Sequence, residues 1–141
     1  MVEWPEAVEL ASKLARGAEP SVRAGRYREL FERYYGEALR LAEEGDTRQA
    51  GEKIWGAVTA LVKLHAARRG VPVVHWDHGK LYNYVSNSIE RELRELFRNL
   101  LLAAEELHEH FYEGHLDAST FADHFNGVRR LIEEVRRALG L

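Results

Sequence analysis

The sequence predicts an all-α fold, an up-and-down helical bundle of five or six helices. Three observations carry that prediction. Apolar residues recur at the helical period through every long segment. Acids and glycines stand where such segments would start and stop. The single β-like run, Val71 to Val74, has no second strand candidate to pair with. At 141 residues the chain reads as one domain, 1–141, with an N-terminal helical arm over 1–19 and the bundle over 20–141.

In order, Trp4-Pro5 opens a short first helix, because proline suits the first helical position and Glu6 favours its positive end. Val8, Ala11, Leu14 and Ala15 form its stripe, and Gly17 to Pro20 breaks it. A second helix from about Ser21 to Glu44 carries Tyr27, Leu30, Phe31, Tyr34, Ala38, Leu41 and Ala42 on one broad face. The central helix follows after EEGD, a connection short enough to force an antiparallel hairpin. Asp46 is its N-cap, Gln49 stands where a capping-box partner would, and Gly45 closes the preceding helix. Ala50, Ile54, Ala57, Val58, Leu61, Val62 and His65 keep the helical period, and Ala60, Leu64, Ala66 and Ala67 extend the apolar surface nearly all round. A helix that apolar belongs at the centre of the bundle. Gly51 and Gly56 each cost this helix about 1 kcal/mol relative to alanine, so both predict a neighbouring helix in close approach.

Pro72 stops helix continuation in the connector GVPVVHWD, and Asp77 caps a fourth helix with Leu81, Tyr84, Val85 and Ile89 on one face. A fifth helix, continuous with the fourth or separate from it, carries Leu93, Leu96, Phe97, Leu100, Leu101, Ala104, Leu107 and Phe111. Glu90 with Arg94, and Arg91 with Glu95, are spaced for surface ion pairs. Gly114 ends this helix. Asp117 caps the last, whose Phe121, Phe125, Val128, Ile132, Val135 and Leu139 hold the 3.6-residue period.

Composition narrows the function. A net charge of −3 excludes broad nonspecific coating of nucleic acid, though not a local basic patch. The absence of cysteine excludes a disulfide framework, a thiolate zinc site and a thiol nucleophile. No run of about 20 apolar residues and no signal-peptide core occurs, so no membrane is expected and the cytoplasm is the expected location. Arginine in excess of lysine, glutamate in excess of aspartate, and Met1 as the only methionine fit a heat-adapted source.

Several polar residues are candidates for chemistry. His65 sits on the apolar side of the central helix, either satisfied there by Tyr34, Tyr35 or Tyr112, or grouped with Arg69 and His75 around a pocket. Arg23 and Arg26 oppose the dipole of the second helix, which a bound phosphate would offset; pairing with Glu19 or Glu29 is the plainer account. His75 and His78 flank the junction at Asp77, and His108, Tyr112 and His115 could share a helical side were Gly114 not to end the helix first. None of these spacings is a zincin or zinc-finger pattern, so no metal site and no cofactor are expected. Trp55 reads as core packing, with a base-stacking platform as its functional alternative. There is no Gly-rich P-loop, nucleophile elbow or paired-carboxylate motif.

Three stretches carry a family resemblance: GD-x-x-QA-x-EK-x-WGA from Gly45 to Ala57, the connector with His75 and His78, and LHEHFYE from Leu107 to Glu113. Together they resemble the archaeal PaREP family of small helical proteins, across roughly Tyr27 to Leu139. More distantly, the helix order is similar to HEPN domains. That resemblance implies a bundle that binds a nucleotide or RNA, pairs with a nucleotidyltransferase partner, or cuts RNA, and that self-associates as a homodimer. Catalytic HEPN ribonucleases use an arginine, a short spacer and a histidine; here R-GVPVV-H joins Arg69 to His75. In such a pair the arginine would stabilise phosphorane-like charge while the histidine moves protons. The catalytic pattern belongs to a later helix, where this chain reads HFYEGHLD without an arginine. The leading expectation is therefore a non-catalytic binding or assembly module, with Arg23, Arg26, His65, Arg69, His75 and His78 as ligand-binding candidates. The alternatives are a metal-independent ribonuclease using Arg69 and His75, and a structural homo-oligomer.

Overall fold

The computed structural model describes residues 19–141. Apart from Glu19, the expected N-terminal arm and its helix lie outside the described residues. Five helices make up the rest: α1 (Pro20–Glu43), α2 (Thr47–Arg68), α3 (His78–Ser88), α4 (Arg91–Glu113) and α5 (Ala118–Leu139). They form the expected all-α, up-and-down bundle. Among the described residues no helix is long and apolar enough to cross a membrane.

The central position falls to α2, as its apolar pattern requires. Of its 22 residues, 13 are buried, against four in the 24-residue α1. α2 packs chiefly on α1 and α4 and also touches α3 and α5. Leu61 and Val58 of α2, Phe97 and Leu100 of α4, and Ile132 of α5 are fully enclosed in one core.

The helix ends follow local chemistry. At the α1–α2 turn Gly45 takes φ +83°. Its N–H bonds to Ala42 O at 3.1 Å, and the Asp46 N–H bonds to Leu41 O at 3.0 Å. That is a Schellman closure, which uses the Asp46 donor that a reciprocal capping box would have given to Gln49. The other half of the box is present: the Gln49 N–H donates to Asp46 Oδ1 at 3.2 Å. Asp77 and Asp117 cap α3 and α5 through bonds from the Lys80 and Thr120 N–H groups at 2.9 and 2.8 Å. α1 begins one residue ahead of the sequence expectation, with Pro20 in its first turn, where the missing N–H costs nothing.

The question of whether the fourth and fifth helices are continuous is answered by a break at Ile89, where ψ reaches 142°. Two carbonyls are freed there, and arginines take both: Arg69 donates to Ser88 O and Arg94 to Ile89 O. Glu90 thereby becomes the residue preceding α4 and turns to His65, so the expected surface pair with Arg94 is not among the ion pairs formed.

Both internal glycines of α2 mark close approaches. A Cβ on Gly51 would lie 2.4 Å from the Leu107 carbonyl oxygen of α4, and one on Gly56 would lie 3.2 Å from the Tyr34 ring of α1. The first contact is backbone against backbone and cannot relax by moving a side chain. Gly51→Ala is therefore expected to lower unfolding stability in urea by about 1–3 kcal/mol despite its better helix propensity. Gly36→Ala, at a helical position with open space around it, is expected to raise stability by up to about 1 kcal/mol.

Candidate functional site

Two polar centres and one histidine buttress are set between the helices. The first centre lies at the C-terminal end of α2. His65 Nδ1 is 2.6 Å from the Tyr84 hydroxyl and its Nε2 is 2.8 Å from Glu90 Oε2. A carboxylate oxygen only accepts, so Nε2 carries the hydrogen and Nδ1 receives the tyrosine O–H. The partners are thus Tyr84 and Glu90 rather than the Tyr34, Tyr35 or Tyr112 expected from sequence. Phe97 packs edge-on against the same ring at 5.7 Å between centroids. The bond from His65 holds the Glu90 carboxyl below its ordinary range, whereas burial raises the Tyr84 phenol against the opposing pull of Arg69. Every polar atom of this imidazole is used. It ties α2, α3 and the start of α4 together.

The connector above this centre carries the sequence-paired Arg69 and His75. Arg69 is bonded to the end of α3, while His75 is exposed and shares no hydrogen bond with it among the described residues. His75 adopts φ +50°, an uncommon conformation for a side-chain-bearing residue, in the turn that delivers Trp76 to the Tyr84 ring at 5.0 Å. Arg23 is half-buried with its Nε lacking a hydrogen-bond partner, and Arg26 is exposed in the next turn of α1.

The second centre is built around Trp55 of α2, which is 7% exposed. The His108 ring of α4 stacks on the indole at 5.1 Å, and the His78 ring from the first turn of α3 meets it edge-on at 4.8 Å. The two imidazoles are 5.4 Å apart at 62°, and the exposed Tyr112 closes edge-on against His108 at 5.2 Å. Each imidazole is held by a carboxylate: His108 Nδ1 lies 3.0 Å from Glu52 Oε2, and His78 Nδ1 lies 3.2 Å from Glu105 Oε1. Glu105 is itself fixed from the other side by the Tyr82 hydroxyl. Burial and then Glu105 push the Tyr82 phenol far above its ordinary value, which keeps it a donor.

This pairing has a chemical consequence. The Glu52 carboxylate only accepts, so His108 Nδ1 donates and the lone pair of its neutral ring is at Nε2, while His78 Nδ1 meets Glu105 as an ion-pair contact. No hydrogen bond to either Nε2 occurs among the described residues, unlike the saturated His65. Of the six ligand-binding candidates, only His78 belongs to this centre, together with Trp55, His108 and Tyr112, which the sequence reading weighed and set aside. Glu52, Glu105 and Tyr82 were missed as site residues, although Glu105 and His108 are spaced i,i+3 on one face of α4.

His110 anchors the geometry. Its Nδ1 accepts the Leu116 N–H at 3.1 Å, so its Nε2 is the donor to Thr47 Oγ1 at 3.0 Å. Beside it Arg48 donates to the Phe111 and Tyr112 carbonyls at 2.9 and 2.8 Å, as cations do at a helix C-terminus. These bonds fix the start of α2 to the end of α4.

A five-helix bundle with an imidazole-rich centre facing one side is the class of protein that fold and site define. The chain belongs to the Archaeal PaREP1/PaREP8 family, whose profile matches residues 26–132. Comparison with curated proteins and with solved structures gives no match. The first and third stretches that carried the resemblance, with His78 of the connector, meet at Trp55.

Burial, with His115 and Arg48 nearby, lowers the pKa of His110 below the ordinary imidazole value. The unfolded chain therefore binds a proton at this position that the folded chain refuses, so its contribution is complete above about pH 6.5 and is lost as pH falls below it. Thermal unfolding of His110→Phe should begin about 1–3 kcal/mol less stable at neutral pH, with orphaned Leu116 N–H and Thr47 hydroxyl groups. The gap to wild type should narrow on acidification. A gap independent of pH would show that His110 is not held neutral.

Proposed function

We propose that this chain is a HEPN-like binding module that engages a nucleotide or RNA at the Trp55 centre, with a homodimer and a nucleotidyltransferase as its partners of assembly. One observation carries the reading. Outside the enclosed core, Tyr112 at 63% exposure, the half-exposed His78 and the edge of His108 put three π-systems beside one another. Such a surface takes a planar base by stacking. Glu52 and Glu105 disfavour a phosphate placed directly on the imidazoles, so the base is the group recognised here. Trp55 itself is too enclosed to stack on a ligand and serves as the wall behind both histidines.

Two features support binding over cleavage by Arg69 and His75. The guanidinium of Arg69 is bonded to the end of α3, and His75 is exposed on the connector and shares no hydrogen bond with it among the described residues. The apolar surface of α2 is covered within one chain, which leaves Val22, Val74 and Leu102 among the described residues as exposed aliphatic side chains available to a homodimer.

Fluorescence anisotropy of a labelled single-stranded RNA should rise on titration with the protein. Tyr112→Ala should weaken that binding by about tenfold, the order of one stacking contact. The RNA should remain intact, and the salt dependence should be shallow because few phosphates are neutralised. No rise with any RNA would remove the binding reading. Cleavage that disappears in His75→Ala would replace it with the ribonuclease.

A further inference from the structure

We propose that His78 and His108 form a binding site for a divalent transition-metal ion of the zinc class, with Glu105 and Glu52 as its outer-sphere carboxylates. The ring separation fits. Metal–nitrogen bonds of about 2.0–2.1 Å in tetrahedral geometry put the centroids of two imidazoles about 5 Å apart. The observed centroids are 5.4 Å apart, with the planes inclined at 62°.

The donor chemistry fits as well. A metal-ligating histidine characteristically gives its second ring N–H to a carboxylate, which sets the tautomer and increases the basicity of the ligating nitrogen. His108 has that arrangement through Glu52, and His78 Nδ1 lies 3.2 Å from Glu105 Oε1 in an ion-pair contact. The support extends outward, because the Tyr82 hydroxyl orients Glu105 and the Trp55 indole restrains both imidazoles. His65 and His110, by contrast, bond at both ring nitrogens to protein atoms, so neither retains a free donor pair.

The remaining coordination positions would be open to water or a ligand, as in sites that do more than hold a fold together. Such an ion would supply the positive charge that this centre lacks for a phosphate. In that respect the inference deepens the nucleotide reading and rests on the same centre, yet it is testable with metal alone. RNA binding with no metal site, and a metal site with no RNA binding, are separate outcomes.

A second group competes for cations. Ligand atoms of Glu106, Glu109 and His115 lie within 4.8 Å of one another at the surface of α4 and the loop after it. Surface acidic groups of this kind are common without an ion, and none of the three carries the paired support seen at Trp55. His115 therefore serves as the control.

The test is titration of tag-free, chelator-stripped protein with Co(II), read by visible d–d absorption, and with Zn(II), read by calorimetry. Wild type should bind one equivalent and develop the absorption of a low-coordinate cobalt site. His78→Ala and His108→Ala should each weaken binding by at least about tenfold. Glu105→Gln and Glu52→Gln should weaken it by about 10–100-fold, the usual cost of losing an outer-sphere carboxylate. His115→Ala should bind as wild type does. His78 is half-exposed, so His78→Ala keeps the test valid should His108→Ala fail to fold. Absence of binding by wild type, or binding lost in His115→Ala and retained in His78→Ala, would overturn the assignment.

Discussion

The approach of the α2 backbone to the α4 backbone at Gly51 and Leu107 is the constraint on which the rest of the structure depends. A single Cβ there would meet a carbonyl oxygen at 2.4 Å, so the two helices could not lie this close with any other residue at position 51. Glu52 follows the crossing on one helix and His108 follows it on the other, and Trp55 lies one turn further along α2. Contact between the carboxylate, the imidazole and the indole is thus a consequence of helix spacing. The His110 bond to Thr47 and the Arg48 bonds to the end of α4 hold the same crossing from below.

Interior histidines serve two different purposes in this bundle, and their hydrogen bonds separate them. His65 and His110 spend both ring nitrogens on groups of the protein, joining helices whose order in the chain would not otherwise fix their contact. Buried polar groups that are fully paired in this way specify one arrangement without offering reactivity. His108 bonds through one nitrogen only, and His78 meets Glu105 through an ion-pair contact at one nitrogen. They are also the pair nearest the surface, with His78 in the first turn of α3 and Tyr112 exposed beside His108.

Much of the fold was legible because its determinants are local. Asp46, Asp77 and Asp117 signal helix starts through side chains that act within one turn, and all three make the bonds their positions imply. Gly51 and Gly56 announced close packing because a glycine in so apolar a helix has no local justification. The break at Ile89 was not decided by the sequence, because no proline or glycine marks it. Its freed carbonyls are taken by Arg94 nearby and by Arg69 from the end of α2, so the stop depends in part on tertiary contact. The site was less legible still. Arg69 and His75 are close in sequence but share no hydrogen bond among the described residues, whereas Glu52, His78, Glu105 and His108 come from three helices and meet through tertiary packing. Motif spacing along one segment cannot report such a meeting; its local traces are the i,i+3 relations of Glu105 with His108 and of Glu52 with Trp55.

The central claim is that the Trp55 centre presents two imidazole lone pairs while the other interior histidines present none. Long-range proton–nitrogen correlation spectra of the imidazole rings, recorded above neutral pH on metal-free protein, test it directly. The account predicts that His78 and His108 carry hydrogen at Nδ1 and a bare Nε2, and that His65 and His110 carry hydrogen at Nε2. A bare Nδ1 in His78 or His108 would contradict the carboxylate pairing and, with it, the assignment of this centre as the working site.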